Sequence, residues 1–258
     1  METLVISESH LTIENRTFSG GLYARMPHPD GGTFRTFRTA TVLVMGNDIH
    51  FKNCTFENTA GPGGHGGPDG QGVGQALALY LDGDGIVLED CVLKGYQDTL
   101  FLAPLPEKEI EKGGFTGPGE FLPRTPRSVR LLCCRIEGSV DFVFGGADAV
   151  FEDCEFVSLE PGYVFAPCSL PGHPGFTAIN CRFTAGDDVP EGSCYIARPW
   201  RNDAAVTLKN CELGAHIAPE GWHDWGKTEA HATVRFTEEG SYGPGAECIS
   251  RPAWVTCN

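Results

Sequence analysis

The sequence predicts an all-β chain wound as a parallel β-helix, a single-stranded solenoid, and three observations predict it. A short motif of alternating apolar residues recurs seven times along the 258 residues. Six of the seven copies carry a cysteine directly after the position where the alternation breaks. Helical periodicity is scarce, while 34 glycines and 18 prolines suit a chain of short strands and turns.

The first copy is degenerate and reads Leu11, Ile13, Asn15, Arg16, Phe18. It is followed by Ile49, Phe51, Asn53, Cys54, Phe56 and by Ile86, Leu88, Asp90, Cys91, Leu93. Val129, Leu131, Cys133, Cys134, Ile136 and Ala149, Phe151, Asp153, Cys154, Phe156 come next. Phe176, Ala178, Asn180, Cys181, Phe183 and Val206, Leu208, Asn210, Cys211, Leu213 complete the series. Within each copy the alternation is that of a strand with one buried face. The parity then slips by one, which would turn the second half outward unless the backbone bends there. Asn and Asp tolerate a left-handed bend better than other non-glycine residues. Each copy is therefore strand, sharp corner, strand. Copies 20 to 43 residues apart mark a solenoid, and the cysteines are expected to stack in a buried ladder, one per coil.

No boundary interrupts the repeat between residues 11 and 213, so residues 1–258 are expected to form one domain. Gly61–Gly74 lacks the Gly-Lys-Ser/Thr ending of a phosphate loop and reads as a flexible loop. Residues 103–127 mix Pro, Gly, Lys and Glu and read as an inserted loop. From about 214 the repeat stops, and a tail with Trp222, Trp225 and Trp254 is expected to cover the end or side of the solenoid.

Bulk properties exclude several functions. A formal net charge of -15 argues against nucleic acid as a partner. No run of about 18 apolar residues exists to span a membrane. The N-terminus has no basic segment leading into a long apolar run, so the chain as written is expected in the cytoplasm, or to be secreted if its N-terminus is incomplete. Eleven cysteines are an odd number without a Cys-x-x-Cys pair, which favours buried free thiols in a reducing compartment over disulfides or zinc. No metal site or cofactor is expected, and the histidines show neither ligand spacing nor a Ser-His-Asp arrangement.

Outward positions of a solenoid strand should be polar. Two segments instead set a carboxylate among aromatics and glycines: Gly95-Tyr-Gln-Asp98-Thr-Leu-Phe101 and Gly138-Ser-Val-Asp141-Phe-Val-Phe-Gly145. Each aspartate bears a similar relation to a coil, so the two are expected on neighbouring coils about 4.8 Å apart. Two close carboxylates do not both ionise cheaply, which leaves one acid and one nucleophile or base. The flanking aromatics, Tyr96 and Phe142 among them, argue for a desolvated site and are expected to meet substrate. The amides of Gln75 and Gln97 can stabilise an oxyanion without trapping a permanent negative charge. Each also fits a surface or corner position. Arg198 can hold an aspartate bidentately and Trp200 can stack on a sugar ring, although both equally fit a packed Arg–Trp pair on a loop.

At these residues the sequence strongly resembles the pectinesterase (pectin methylesterase) family. The segments that carry the resemblance are Phe37-Arg-Thr-Ala-Thr41, Phe56-Glu-Asn-Thr-Ala-Gly-Pro62, Gln75-Ala-Leu-Ala-Leu79, the two aspartate segments, and Arg198-Pro-Trp200. Gly221-Trp222 with Trp225, and Gly243-Pro-Gly-Ala246, fit the C-terminal part. The resemblance implies a right-handed β-helix that hydrolyses the methyl esters of galacturonate in pectin or its oligomers, as a monomer and without a cofactor. It implies Asp141 as nucleophile and Asp98 as general acid, then base. Gln75 and Gln97 would line the oxyanion site, Arg198 would orient Asp141 and keep it ionised, and Trp200 would bind the sugar.

The sequence also departs from the family pattern. Family members have a longer N-terminal part, and Phe101, Val143 and Ala197 stand in place of the usual Tyr, Ile and Gly. The interval from Asp98 to Asp141 is about twice the usual one, because the 103–127 insertion lies within it. That insertion is expected beside the cleft. The same carboxylate pair also suits a β-helix glycoside hydrolase, and a non-catalytic pectin-binding protein is a further alternative.

Overall fold

The computed structural model describes residues 2–62, 72–247 and 250–258. Most of Gly61–Gly74, expected as a flexible loop, lies outside the described residues. The chain is a right-handed parallel β-helix in which three ladders of short strands stack coil upon coil.

The first ladder is built from the first halves of the sequence repeat: Thr12–Glu14, His50–Lys52, Ile86–Glu89, Ser128–Leu132, Asp148–Glu152, Phe176–Ile179 and Ala205–Lys209, each parallel to the next. The second takes the second halves: Thr17–Gly20, Thr55–Asn58, Val92–Lys94, the starts of Arg135–Gly145 and Glu155–Pro167, then Arg182–Ala185 and Glu212–Leu213. The third closes each coil with Leu4–Ile6, Val42–Val44, Leu79–Leu81, Leu100–Leu102, the ends of Arg135–Gly145 and Glu155–Pro167, and Tyr195–Ala197.

Between the first and second ladders, the corner of each of the seven repeat copies has positive φ. The angles are 54° at Asn15, 50° at Asn53, 53° at Asp90, 52° at Cys133, 52° at Asp153, 53° at Asn180 and 51° at Asn210. A left-handed residue costs about 1–2 kcal/mol unless it is Gly or a short polar residue that can bond locally. Asn53 does so across the stack, donating from Nδ2 to Asn15 Oδ1 at 2.6 Å. The bend restores the parity, so the next residue turns inward. Cys54, Cys91, Cys134, Cys154, Cys181 and Cys211 are each no more than 2% exposed and form the cysteine ladder. Their thiols bond backbone carbonyls of the coils, for example Cys154 Sγ to Leu131 O at 3.4 Å.

Three expectations need correction. The repeat does not stop at 214, because Arg235–Glu239 and Thr256–Cys257 extend the first ladder. This copy was hidden because Gly240 (φ 64°) occupies the corner and Glu238 takes the place of an apolar residue. Glu238 is 1% exposed, and Arg251 and Trp222 Nε1 donate to it. Trp222 and Trp254 pack on Phe236 of this coil. Secondly, Cys257 is disulfide-bonded, so free thiols are not the rule at the C-terminus. Thirdly, the third ladder is not polar outside. Val42–Val44, Leu79–Leu81 and Leu100–Leu102 are buried on both faces. Their outward Leu43, Tyr80 and Phe101 join Phe37 and Phe144 in a second apolar cluster, covered by Leu105 and Phe115 of the insertion.

Candidate active site

The third ladder and the segments leading into it place the carboxylates. Leu79 pairs with Leu100, and Leu100 with Val143. Asp98 and Asp141 each lie two residues before the paired position, so they occupy equivalent places on adjacent coils. The Asp98 N–H donates to Val140 O at 3.0 Å, and one coil earlier the Ala76 N–H donates to Gln97 O at 3.1 Å. Gln75, Gln97, Asp98 and Asp141 are thus brought together by stacking alone. Both aspartates are left-handed, with φ 64° at Asp98 and 51° at Asp141. The bend at Asp141 folds Phe142 back so tightly that a Cβ on Gly138 would lie 2.1 Å from the Phe142 Cβ. Glycine is required there.

A cleft of about 330 Å³ opens over these residues. Gln75, Gln97, Asp98, Asp141, Arg198 and Trp200 all line it. Phe142 does not, which corrects its expected contact with substrate: it is fully buried in the solenoid core, because the bend that turns Asp141 outward turns Phe142 inward. Tyr96 is half-buried and also outside the lining, and its carbonyl accepts the Ser139 N–H.

Arg198 donates from Nε to Asp141 Oδ1 at 2.8 Å and from Nη2 to Asp141 Oδ2 at 2.6 Å. Its guanidinium is clamped between the rings of Tyr163 (3.9 Å) and Trp225 (3.7 Å). Sequence reasoning missed both rings. Trp225 had a signal in its place among the C-terminal motif residues, whereas Tyr163 had none. Lys227 Nζ lies 4.2 Å from the Trp225 ring and donates to Pro199 O at 2.8 Å. Burial, with help from Arg201 and Arg198, lowers the Lys227 pKa to about 8.

The two carboxylates are 7% exposed each but differ electrostatically. Burial raises the pKa of Asp98 well above the ordinary range, the Asp141 charge raises it further, and Arg198 opposes both more weakly. Burial raises Asp141 too, but two hydrogen bonds from Arg198 and the guanidinium charge pull it back. A carboxylate that receives both donors of a guanidinium is held in the ionised form. Both are pushed upward, Asp98 the further of the two, and Asp141 is the one whose charge has a bonded partner. This arrangement offers a buried nucleophile, a proton donor on the next coil and two neutral amides beside them.

Aromatic rings form one part of the remaining lining. Trp200 stands over Phe37 (6.5 Å), Phe144 (5.7 Å) and Phe115 (6.3 Å). Phe115 belongs to the insertion, which also brings Ile110, Glu111 and Gly114 to the cleft.

The family model described as Pectinesterase matches residues 24–105 and 131–258. A probable pectinesterase/pectinesterase inhibitor 64 of Arabidopsis thaliana is 31% identical over 239 residues, covering 85% of this chain and 35% of its own length. The chain spans about a third of the length of the curated relatives it matches first. Among solved structures, the pectin methylesterase from Yersinia enterocolitica superposes with a TM-score of 0.79 at 25% identity, over 100% of this chain and 85% of that one. A pectin methylesterase in complex with a hexasaccharide superposes at 0.78 and 22% identity, over 100% and 80% of the two chains, and shows the shared fold. With the match interrupted only across the insertion and with Asp98 and Asp141 on either side of that gap, the second inside the matched span 131–258 and the first inside 24–105, the chain belongs to the pectinesterase family.

Proposed function

We propose that this chain hydrolyses methyl esters of galacturonate in pectin or pectin oligomers, releasing methanol and leaving carboxylates. The observation that carries the reading is the asymmetric pair on neighbouring coils of one cleft: Asp141 takes both donors of Arg198, beside an Asp98 that burial and the Asp141 charge push well toward its protonated form. Family membership and a sugar-bound structural neighbour support it.

Asp141 attacks the ester carbonyl, and the developing oxyanion is met by the amides of Gln75 and Gln97, which line the same cleft. Collapse of the tetrahedral intermediate expels methoxide, which takes the proton of Asp98. An acyl-enzyme remains on Asp141. Asp98, now a base, draws a proton from water, and hydroxide attack on the acyl carbon returns Asp141 as a carboxylate and Asp98 as an acid. Arg198 holds Asp141 with both oxygens bonded, so attack uses a carboxylate fixed in direction. Trp200 offers its ring to the sugar.

Methanol release from highly methylated pectin and from short methylated oligogalacturonates tests the reading, with Asp141→Asn alongside. Methanol that disappears in the variant is expected. New reducing ends without methanol would replace the reading with glycoside hydrolysis. No turnover by a folded protein that still binds the oligomers would replace it with a binding role.

A further inference from the structure

The family match breaks between residues 105 and 131, where the chain carries a segment that the common pattern does not contain. That segment is a built wall. Arg35 donates to Lys112 O and to Gly113 O at 3.3 and 2.9 Å, and Arg201 donates to Lys108 O at 2.7 Å. Arg124 gathers the rest, donating to the carbonyls of Pro106, Gly119, Glu120 and Leu122. Phe115 is 6% exposed and wedged against Phe37 and Trp200. Glu111 therefore lies between two anchored points, Lys108 and Lys112, and lines the cleft.

Its exposed carboxylate makes no hydrogen bond or ion pair among the described residues. The cleft cations are otherwise engaged. Arg198 gives two donors to Asp141, and Arg201 gives its η nitrogens to Trp200 O and Lys108 O while its face lies on the Trp200 ring. A free galacturonate beside the insertion would face Glu111 without a free guanidinium fork to receive it. A methyl-esterified galacturonate carries no charge and meets Ile110 and Phe115 as apolar neighbours.

Resting on the proposed esterase reading, we infer that the inserted segment 103–127 forms a subsite selective for methyl-esterified galacturonate, and that Glu111 sets the selectivity by repelling a free carboxylate. One like-charge contact at a water-filled cleft mouth accounts for about a three- to tenfold preference, larger at low salt.

The test is calorimetric binding of short fully methylated and fully unesterified oligogalacturonates in an Asp98→Asn background. That substitution removes the proposed proton donor and stalls turnover, and all three forms of position 111 carry it alike. Glu111, Glu111→Gln and Glu111→Lys are compared at low and high salt. The ratio of the two affinities is expected to fall by about three- to tenfold with Gln and to fall further or invert with Lys, both differences shrinking in high salt. The same ratio in all three proteins overturns the inference. So does failure of both oligomers to bind. Methanol release by the parent protein is measured separately, and its absence identifies failure of the esterase reading itself.

Discussion

Arg198→Ala is the substitution that most directly probes the division of labour between the two aspartates. In the native site the guanidinium gives Asp141 two charge-assisted hydrogen bonds of 2.6 and 2.8 Å, with side-chain exposures of only 13% and 10% for Arg198 and Asp141. Removing one partner of a buried pair costs about 3–5 kcal/mol, because the other charge is stranded in a poorly solvated place. Asp141 escapes that cost by taking up a proton, since burial already pushes its pKa upward and Arg198 is the main opposing influence. The nucleophile is then neutral at pH 7. At about 1.4 kcal/mol per tenfold in rate, the expected loss in kcat/KM is about a hundred- to several-thousand-fold at neutral pH. The sign with pH is fixed: a carboxylate with a higher pKa ionises later, so the acidic limb of the pH–rate profile moves to higher pH and activity recovers partly in alkaline solution. Arg198→Lys keeps a charge but loses the planar fork and its seat between Tyr163 and Trp225, and falls between the two. Methanol release measured from pH 4 to 9 reads both quantities. An acidic limb that stays in place, with activity within twofold of the parent, would refute the assignment of Asp141 as an ionised nucleophile.

Asp98→Asn is expected to abolish turnover yet raise Tm at neutral pH. The folded-state pKa of Asp98 is raised, so above the ordinary value of 3.8 the folded protein holds a proton that the unfolded chain releases, and stability falls as pH rises through that window. Asn has no proton to lose, so the Tm difference between variant and parent, followed by calorimetry, grows upward from pH 4 and vanishes below it. A constant difference would show that Asp98 does not titrate abnormally. Gln75→Ala and Gln97→Ala should each lower kcat by up to about a hundred- to thousandfold with little change in KM, as for loss of one oxyanion donor. A change confined to KM would assign them to ground-state binding instead. Cys133 is the one non-glycine corner between the first and second ladders that is neither Asn nor Asp, and it is exposed at φ 52°. Cys133→Asn should stabilise the fold by about 0.5–1 kcal/mol, or about 1–4 °C in Tm, and a lower Tm would contradict the corner argument.

The coil architecture was legible because it is local. Alternation, a one-residue slip and an Asn or Asp at the slip lie within eight residues, as in Val206 to Leu213, and each has a backbone consequence that needs no distant partner. The same logic carried Asp98 and Asp141 to equivalent places on adjacent coils, since their offsets from paired strands are readable along the chain. Where the local signal was diluted it failed: Gly240 served as a corner and Glu238 faced inward, and the coil they build was read as tail. Phe142 was misplaced because the left-handed turn at Asp141 reverses which side each neighbour faces. Residues that act across coils had still less to announce them. Tyr163 and Trp225 clamp Arg198 against an aspartate 57 residues away, and the insertion supplies Phe115 and Glu111 to the cleft through anchors at Arg35 and Arg201. By itself, then, the sequence determined the winding, the corners and the pairing of the carboxylates, because those follow from side-chain parity along a strand. Only the tertiary structure decided which rings enclose the guanidinium and what walls the cleft, because those depend on where loops of unequal length bring side chains that share no periodic pattern.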